Sequence, residues 1–199
     1  MSERFDTLFA GMSEETAMET LLKPPAELKN PGLKYLAATR LGACQSPESL
    51  QRLLAAGAND SDDLYERITR RKALEALGRR KDRSALPVLL AALQADDEPT
   101  VVNAADAIAR LSTPLNKEEQ TALLQALQGP DNQRRAVLQA FCRLGMNDAS
   151  GQIDRCRNDS NPLVAGAAHA YAVRVLGDQQ GLHPLVEQLR DDNPGRRRA

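Results

Sequence analysis

The sequence has no tryptophan, and among its 199 residues there are only three phenylalanines, three tyrosines, three cysteines and two histidines. Each shortage excludes something. With aromatics at 3%, the apolar content of 42% must come mostly from Leu, Ala and Val, which suits helices packed closely through small side chains. Cys44, Cys142 and Cys156 are scattered with no CxxC or Cys/His cluster, so neither a zinc site nor a disulfide framework is expected. An odd set of isolated thiols fits a reducing compartment, and the expected location is cytoplasmic. An excess of charge of either sign is also missing. Lys plus Arg (26) nearly cancels Asp plus Glu (27), for a net charge of −1, which argues against a nucleic-acid partner. Met1-Ser2-Glu3-Arg4-Phe5 has no basic stretch leading into an apolar run, so no secretory signal is expected. No run approaches the ~18 apolar residues of a membrane span. Phosphate loops, nucleophile–histidine–acid sets and metal-ligand spacings are absent too, and no metal is expected.

What is present is a repeat. Arg70-Arg71-Lys72-Ala73-Leu74-Glu75-Ala76-Leu77-Gly78, followed by Ala85-Leu86-Pro87-Val88-Leu89-Leu90, recurs in degraded form. Shifted towards the N-terminus, Leu77-Gly78 falls on Leu41-Gly42 and Leu89-Leu90 on Leu53-Leu54. Further copies run over Val101 to Leu111, Arg134 to Gly145 and Ala167 to Leu189. A period in the thirties marks stacked helix pairs, none of which can bury its apolar face alone.

The spacing predicts five pairs from residue 31: Leu33–Leu41 with Pro47–Leu54, Leu64–Leu77 with Ala85–Leu93, Val101–Leu111 with Lys117–Leu127, a helix ending at Leu144 with a short one near Ser150–Cys156, and Asn161–Leu176 with Leu182–Leu189. Gly42 and the segment Gly78–Asp82 are expected to end helices. Pro87 and Pro184 sit at equivalent helix starts, where a missing N–H costs little. Residues 1–30 are expected to form an N-terminal helical cap on a solenoid of residues 31–199. In that cap, Phe5, Leu8, Phe9 and Met12 share one helix face, and Ser13 caps a second helix that Pro24-Pro25 ends. Asp191-Asp192-Asn193-Pro194 announces a further unit near the C-terminus.

Ala-Leu-Glu-Ala-Leu-Gly at 73–78, then Asp82, then Ala-Leu-Pro-Val-Leu-Leu at 85–90, resembles the HEAT-like repeat of phycobilisome lyases. Tyr65 to Ala73 followed by Val101-Val102-Asn103-Ala104-Ala105-Asp106-Ala107-Ile108 looks like the bilin lyases of the E/F type. The fit is tightest over residues 64–111 and looser over 31–54 and 134–190. The resemblance implies an all-α, right-handed α–α superhelix of about five HEAT-like pairs. It also implies a two-subunit lyase in which this chain is the smaller, F-like or Z-like, member beside a larger E-like or Y-like subunit. The pair would bind a bilin, phycoerythrobilin or phycocyanobilin, and join it by a thioether to a cysteine of a phycobiliprotein α or β subunit. Neither histidine is followed by cysteine, so the Asn-His-Cys motif of the isomerising branch is absent, and plain attachment is implied. The alternative is a non-catalytic HEAT-repeat scaffold or client chaperone for phycobiliprotein assembly or for another protein complex.

A bilin carries two propionates and four pyrrolic nitrogens. Arginines match the carboxylates, and a carboxylate can pair with pyrrole N–H groups or donate a proton as the thioether forms. On the polar sides of the central helices this singles out Asp106 and Glu75 for chemistry, and Arg70, Arg71, Asn103 and Tyr65 for binding. Arg71 and Glu75 are expected near Asn103 and Asp106. The competing reading is an ordinary solvated face with i, i+4 pairs such as Arg71–Glu75. Tyr35, Tyr65 and Tyr171 recur near the first helices of their units, where core packing competes with stacking on a tetrapyrrole. His169 is expected in a satisfied interhelical hydrogen bond, His183 on the surface, and Cys142 as a buried structural thiol. The terminal Arg196-Arg197-Arg198 reads as a solvated tail.

Overall fold

The structure is a computed structural model and describes residues 11–147 and 150–197. Every regular element among them is helical: α1 Glu14–Leu22, α2 Leu33–Leu41, α3 Pro47–Ala58, α4 Leu64–Arg80, α5 Leu86–Ala92, α6 Glu98–Leu111, α7 Lys117–Gln125, α8 Asp131–Leu144, α9 Ser150–Ile153, α10 Pro162–Tyr171, α11 Leu182–Leu189 and α12 Pro194–Arg197. The helix expected over Phe5, Leu8 and Phe9 lies outside the described residues. Met12 is half-buried against the core.

Side-chain caps set most helix starts. Ser13, Ser46, Asp63, Asp97, Asn116 and Asn161 each accept a backbone N–H of the first turn of α1, α3, α4, α6, α7 and α10. Such a cap is typically worth about 1 kcal/mol. Asn116 and Glu119 complete a reciprocal capping box. The expected boundaries of α2 and α11 agree with the structure.

The helices form two layers. The first helices of the five pairs, α2, α4, α6, α8 and α10, pack side by side in that order, and α1 packs on α2 and α3. The core follows the small-side-chain expectation. Ala37, Ala38, Ala73, Ala76, Ala104, Ala107 and Leu77 are fully buried, and Phe141 and Tyr171 are its only buried aromatics among the described residues.

Gly78 does not end its helix. It lies inside α4, where an added Cβ would stand 2.6 Å from the Cα of Ala107 on α6. Gly42 does end α2, as expected, and is also tightly packed, its Cβ position 2.9 Å from that of Ala76. The left-handed residue that ends α4 is Lys81, at φ 56°. In the fourth and fifth pairs the Leu-Gly dipeptide does a different job. Gly145 ends α8 at φ +65°, and Gly177, at φ +70°, ends the π-helical turn Ala172–Leu176 that continues α10; both have open space around them. One sequence motif thus serves close helix contact in the first pairs and chain reversal in the later ones.

Ion pairs cross each junction in turn. Lys34 on α2 donates to Glu66 Oε1 on α4 at 2.6 Å. Arg71 on α4 holds Asp97 ahead of α6, Arg143 on α8 holds Asp106 on α6, and Arg134 on α8 reaches Asp159 ahead of α10 at 2.6 Å. Arg157 continues the series to Asp178 at 2.7 Å.

Candidate functional site

Two depressions hold half of the sequence-selected residues, Arg70 in one and Asn103 and Asp106 in the other. The larger is a cleft of about 620 Å³ where the loop after α3, the side of α4 and the α5–α6 junction meet. Its cations are Arg67 and Arg70, and its carboxylates are Asp60, Asp62, Asp96, Asp97 and Glu98. Arg70 Nε donates to the Gly57 carbonyl at 3.2 Å, which lays the side chain along the cleft wall. Arg71 secures the far side, with Nε donating to Asp97 Oδ2 at 2.8 Å and Nη2 to Oδ1. Asp97 also accepts the Thr100 N–H at 3.0 Å as the cap of α6. Chiefly the Arg71 hydrogen bonds, against the opposing effect of burial, lower the Asp97 carboxyl to a pKa of about 2. Two atoms at this cleft are buried with no hydrogen-bond partner among the described residues, Arg67 Nε and Glu98 Oε1. Polar capacity is therefore left over here, in a space large enough for a small organic ligand. Tyr65 is exposed in the first turn of α4, beside the loop that forms the cleft's rim.

The second depression is a groove of about 180 Å³ between α6 and α8, lined by Val102, Asn103, Asp106, Ala136, Gln139, Ala140 and Arg143. Asp106 sits between two cations, accepting from Arg110 Nε at 2.6 Å and from Arg143. Asn103 turns its amide onto the Pro99 carbonyl at 2.7 Å. Arg143 also borders a hollow of about 340 Å³ formed with Pro114, Gln120 and Met146, so one guanidinium divides two spaces.

The six selected residues therefore fall into four settings. Arg70 and, through Asp97, Arg71 belong to the cleft, and Tyr65 lies exposed at the start of α4 outside its lining. Asn103 and Asp106 belong to the α6–α8 groove. Glu75 is held between Lys72 and Arg79, accepting from Arg79 Nη1 at 2.8 Å. No hydrogen bond or ion pair joins Arg71 or Glu75 to Asn103 or Asp106 among the described residues; the expected single patch is divided because Arg71 turns to the cap of α6. The i, i+4 pair on α4 is Glu75–Arg79 rather than Arg71–Glu75.

Sequence reasoning missed Arg67, Asp97, Glu98 and Arg143. Asp97 was signalled by its place before Glu98-Pro99, the pattern of a capped helix start. Arg143, thirty-seven positions from Asp106, had no local signal.

Other expectations are corrected. Only Tyr171 is a core tyrosine, with its hydroxyl donating to the Met146 carbonyl at 2.6 Å. Tyr35 and Tyr65 are exposed, and the Lys72 ammonium stands 4.7 Å from the Tyr35 ring centroid. His169 has a buried Nδ1 without a partner, and burial, followed by the nearby Arg157 charge, lowers its pKa. Cys142 is half-buried rather than buried, and burial raises its thiol pKa. Arg196 and Arg197 fold back onto Asp191, with Arg197 Nη1 donating to its carbonyl at 2.7 Å. His183 is exposed, as expected. Among the described residues, no group of three or more potential ligands could hold a metal, and no helix is long and apolar enough to cross a membrane.

Layered helix pairs with a Leu/Ala core, close-packing glycines and junction-crossing ion pairs define an α-solenoid of HEAT-like repeats, and residues 65–142 match the model of the HEAT repeats. The chain is 27% identical over 193 residues to an uncharacterized phycocyanin operon protein Y of Pseudanabaena tenuis, covering 97% of this chain and 46% of that protein. It is 30% identical over 125 residues to the bilin biosynthesis protein PecE of Nostoc, covering 62% of this chain and 49% of the relative. The chain spans about half the length of these curated relatives. It also superposes on a chain in the structure of the complex of CpcE and CpcF of phycocyanin lyase from Nostoc, with a TM-score of 0.76 and 25% identity over 94% of this chain and 73% of that one. The chain is thus similar in sequence and fold to HEAT-repeat proteins of the E/F-type bilin lyases.

Proposed function

We propose that this chain is one subunit of a two-chain phycobilin lyase, which holds a linear tetrapyrrole while it is joined by a thioether to a cysteine of a phycobiliprotein. The observation that carries the reading is the match of nearly the whole solenoid to a chain of a phycocyanin lyase complex. Addition of a thiol to a vinylic bilin is intrinsically feasible, so the protein's contribution is to hold the pigment and align it with the acceptor cysteine.

In this reading the cleft beside Arg67 and Arg70 receives the pigment. The two guanidiniums match its propionates, and the surrounding carboxylates accept from pyrrole N–H groups. Arg71 fixes Asp97 and thereby the cleft wall. Tyr65 offers an exposed ring at the rim, and Asn103 an amide on the neighbouring helix. Asp106 is the proton donor or acceptor, with Arg143 and Arg110 holding its carboxylate in place. Glu75, neutralised by two cations, has the weaker claim to a chemical role.

The test is co-expression with a bilin-producing pathway, a phycobiliprotein subunit and a CpcE-type or CpcF-type partner. The reading requires a coloured phycobiliprotein adduct that survives denaturation. A phycobiliprotein that stays colourless with and without this chain overturns it. Improved yield of colourless, folded phycobiliprotein would instead favour the chaperone alternative.

A further inference from the structure

We propose that the solvent-facing ridge formed by α6, α8 and the turn after α10 is the docking surface for the phycobiliprotein client. It takes an acidic segment of that client that also carries one bulky apolar side chain. The proposal rests on the lyase reading above, and its evidence comes from following one position through successive repeats.

The left-handed residues Lys81, Ser112 and Gly145, which end α4, α6 and α8, align the three helices. Counting back from them equates Arg79, Arg110 and Arg143, and likewise Glu75, Asp106 and Gln139. In α4 and α6 the arginine has a carboxylate one turn back on its own helix. Arg79 Nη1 donates to Glu75 at 2.8 Å, and Arg110 Nε to Asp106 at 2.6 Å. α8 lacks that carboxylate, because Gln139 stands in its place, and Arg143 reaches back to Asp106 instead. The series continues with Arg174, three residues before the left-handed Gly177. Arg174 is exposed and makes no hydrogen bond or ion pair among the described residues. Asp106 is thus the one carboxylate bonded to any of three guanidiniums among the described residues, and Arg110 and Arg143 are 47% and 49% exposed. The ridge is cationic although the chain as a whole carries −1. A helix dipole favours cations at every helix C-terminus, but it does not explain why their balancing carboxylate is given up only from α8 onward.

Arg174 leans back towards α8. Burial raises the Cys142 thiol, and Arg174 first, then Arg143, pull it the other way, so both cations stand near this half-buried group. Arg143 also walls the hollow of about 340 Å³, whose lining includes Pro114, Leu115, Leu144 and Met146. A cationic row beside a recess with apolar walls selects a polypeptide that offers carboxylates next to one bulky apolar side chain. Arginine suits such a contact, because its weakly hydrated fork matches a carboxylate. A further repeat would stack beside the fifth pair and leave the flank of α6 and α8 open. The same ridge carries Asp106, to which the acceptor cysteine must come in the lyase reading. That continuity gives the acidic segment to the client rather than to the other lyase subunit.

The experiment titrates the colourless α and β subunits of phycocyanin, one at a time, onto the tagged full chain together with its CpcE-type or CpcF-type partner. At least one subunit is expected to bind, and more weakly as salt is raised. Arg174→Glu should weaken that binding about tenfold or more. Asn147→Trp, which fills the hollow from its rim, should weaken it similarly at any salt. Arg52→Glu makes the same charge change on α3 and should leave it unchanged. All three positions are exposed, and unchanged helical circular dichroism verifies that each variant folds. Full affinity in both Arg174→Glu and Asn147→Trp overturns the docking surface. Loss of the partner chain rather than of the client from Arg174→Glu gives the ridge to the subunit interface and overturns it too. Binding of neither phycocyanin subunit by the parent chain is a third overturning result. Pigment attachment by the same parent preparation, with bilin supplied, decides separately whether the lyase reading stands.

Discussion

Gly78 and Ala107 are in contact so close that a methyl group on Gly78 would stand 2.6 Å from the Ala107 Cα and 2.8 Å from its Cβ. The obstacle is backbone, which cannot rotate away, so Gly78→Ala must push α4 and α6 apart. Overpacking of this kind costs about 1–3 kcal/mol, more than the roughly 1 kcal/mol gained in helix propensity. Gly57→Ala is the control, since its new methyl would meet only the side-chain tips of Val88, Leu74 and Leu77 at 3.2–3.3 Å. Denaturant melts should show a clear loss for the first variant and little change for the second. Equal stability of both would remove the close-contact account.

Asp97 stabilises the fold only while it is ionised. Its folded pKa of about 2 lies below the ordinary 3.8, so its contribution is complete above the higher value and disappears as pH falls through the lower one. The gap corresponds to about 2 kcal/mol at neutral pH. Asp97→Asn should therefore destabilise the protein at pH 7 and behave like the parent near pH 2. Arg71→Lys should lose part of the same energy, because an ammonium cannot reproduce the two-pronged contact. Urea midpoints followed across that range supply the check.

His169 has the same sign of pH dependence, but because its neutral form is the one favoured in the fold. Its folded pKa is lowered from 6.5 by burial first and by Arg157 second, so the unfolded chain takes up the proton more readily. Stability is unaffected above pH 6.5 and declines as pH falls from there towards the folded value. A hydrogen bond to the Arg157 backbone, and after it the Asp178 and Asp154 charges, oppose the shift without cancelling it. Proton NMR of the imidazole should give a midpoint below 6.5, and His169→Gln should flatten the acid limb of the stability profile. A midpoint at or above 6.5 would contradict the burial argument.

Asp106→Ala separates structure from chemistry. The Asp106 carboxylate and its arginine partners are partly exposed, and such pairs contribute at most about 1 kcal/mol. Folding should be nearly unchanged. If Asp106 moves a proton during attachment, pigmentation should slow by about a hundredfold, the lower end of general acid–base contributions. Arg70→Ala should instead weaken bilin uptake with little effect on the bound-state rate. Full rates in both variants would remove these residues from the site.

The fold was readable because stacking imposes the same demands on every unit. Leu89, Leu77 and Ala104 are buried wherever the repeat is interior, and period alone located them. Gly78 was misread because a glycine before a polar run is the same signal for a helix end and for close packing. The site was harder. Arg70 and Asp106 were found as polar residues on otherwise apolar helices, but their grouping depends on side-chain direction. Arg71 turns to Asp97, twenty-six residues away, and Arg143 reaches Asp106 from the next pair. Long, flexible side chains choose partners by geometry that no spacing rule encodes.

Lys34 gives the N-terminal end of the array a lock of its own. Its buried ammonium donates to the Leu21 carbonyl at 3.1 Å, the Lys23 carbonyl at 2.8 Å and the Glu66 carboxylate at 2.6 Å, joining α1, α2 and α4 at one point. An ammonium in that position is tolerable only while all three oxygens surround it. Removing α1 would therefore do more than expose leucines, since it would strand a cation inside the first pair. The N-terminal helix is in this sense keyed to its own solenoid, and one borrowed from another repeat protein would fit only if it brought two free carbonyls to the same spot.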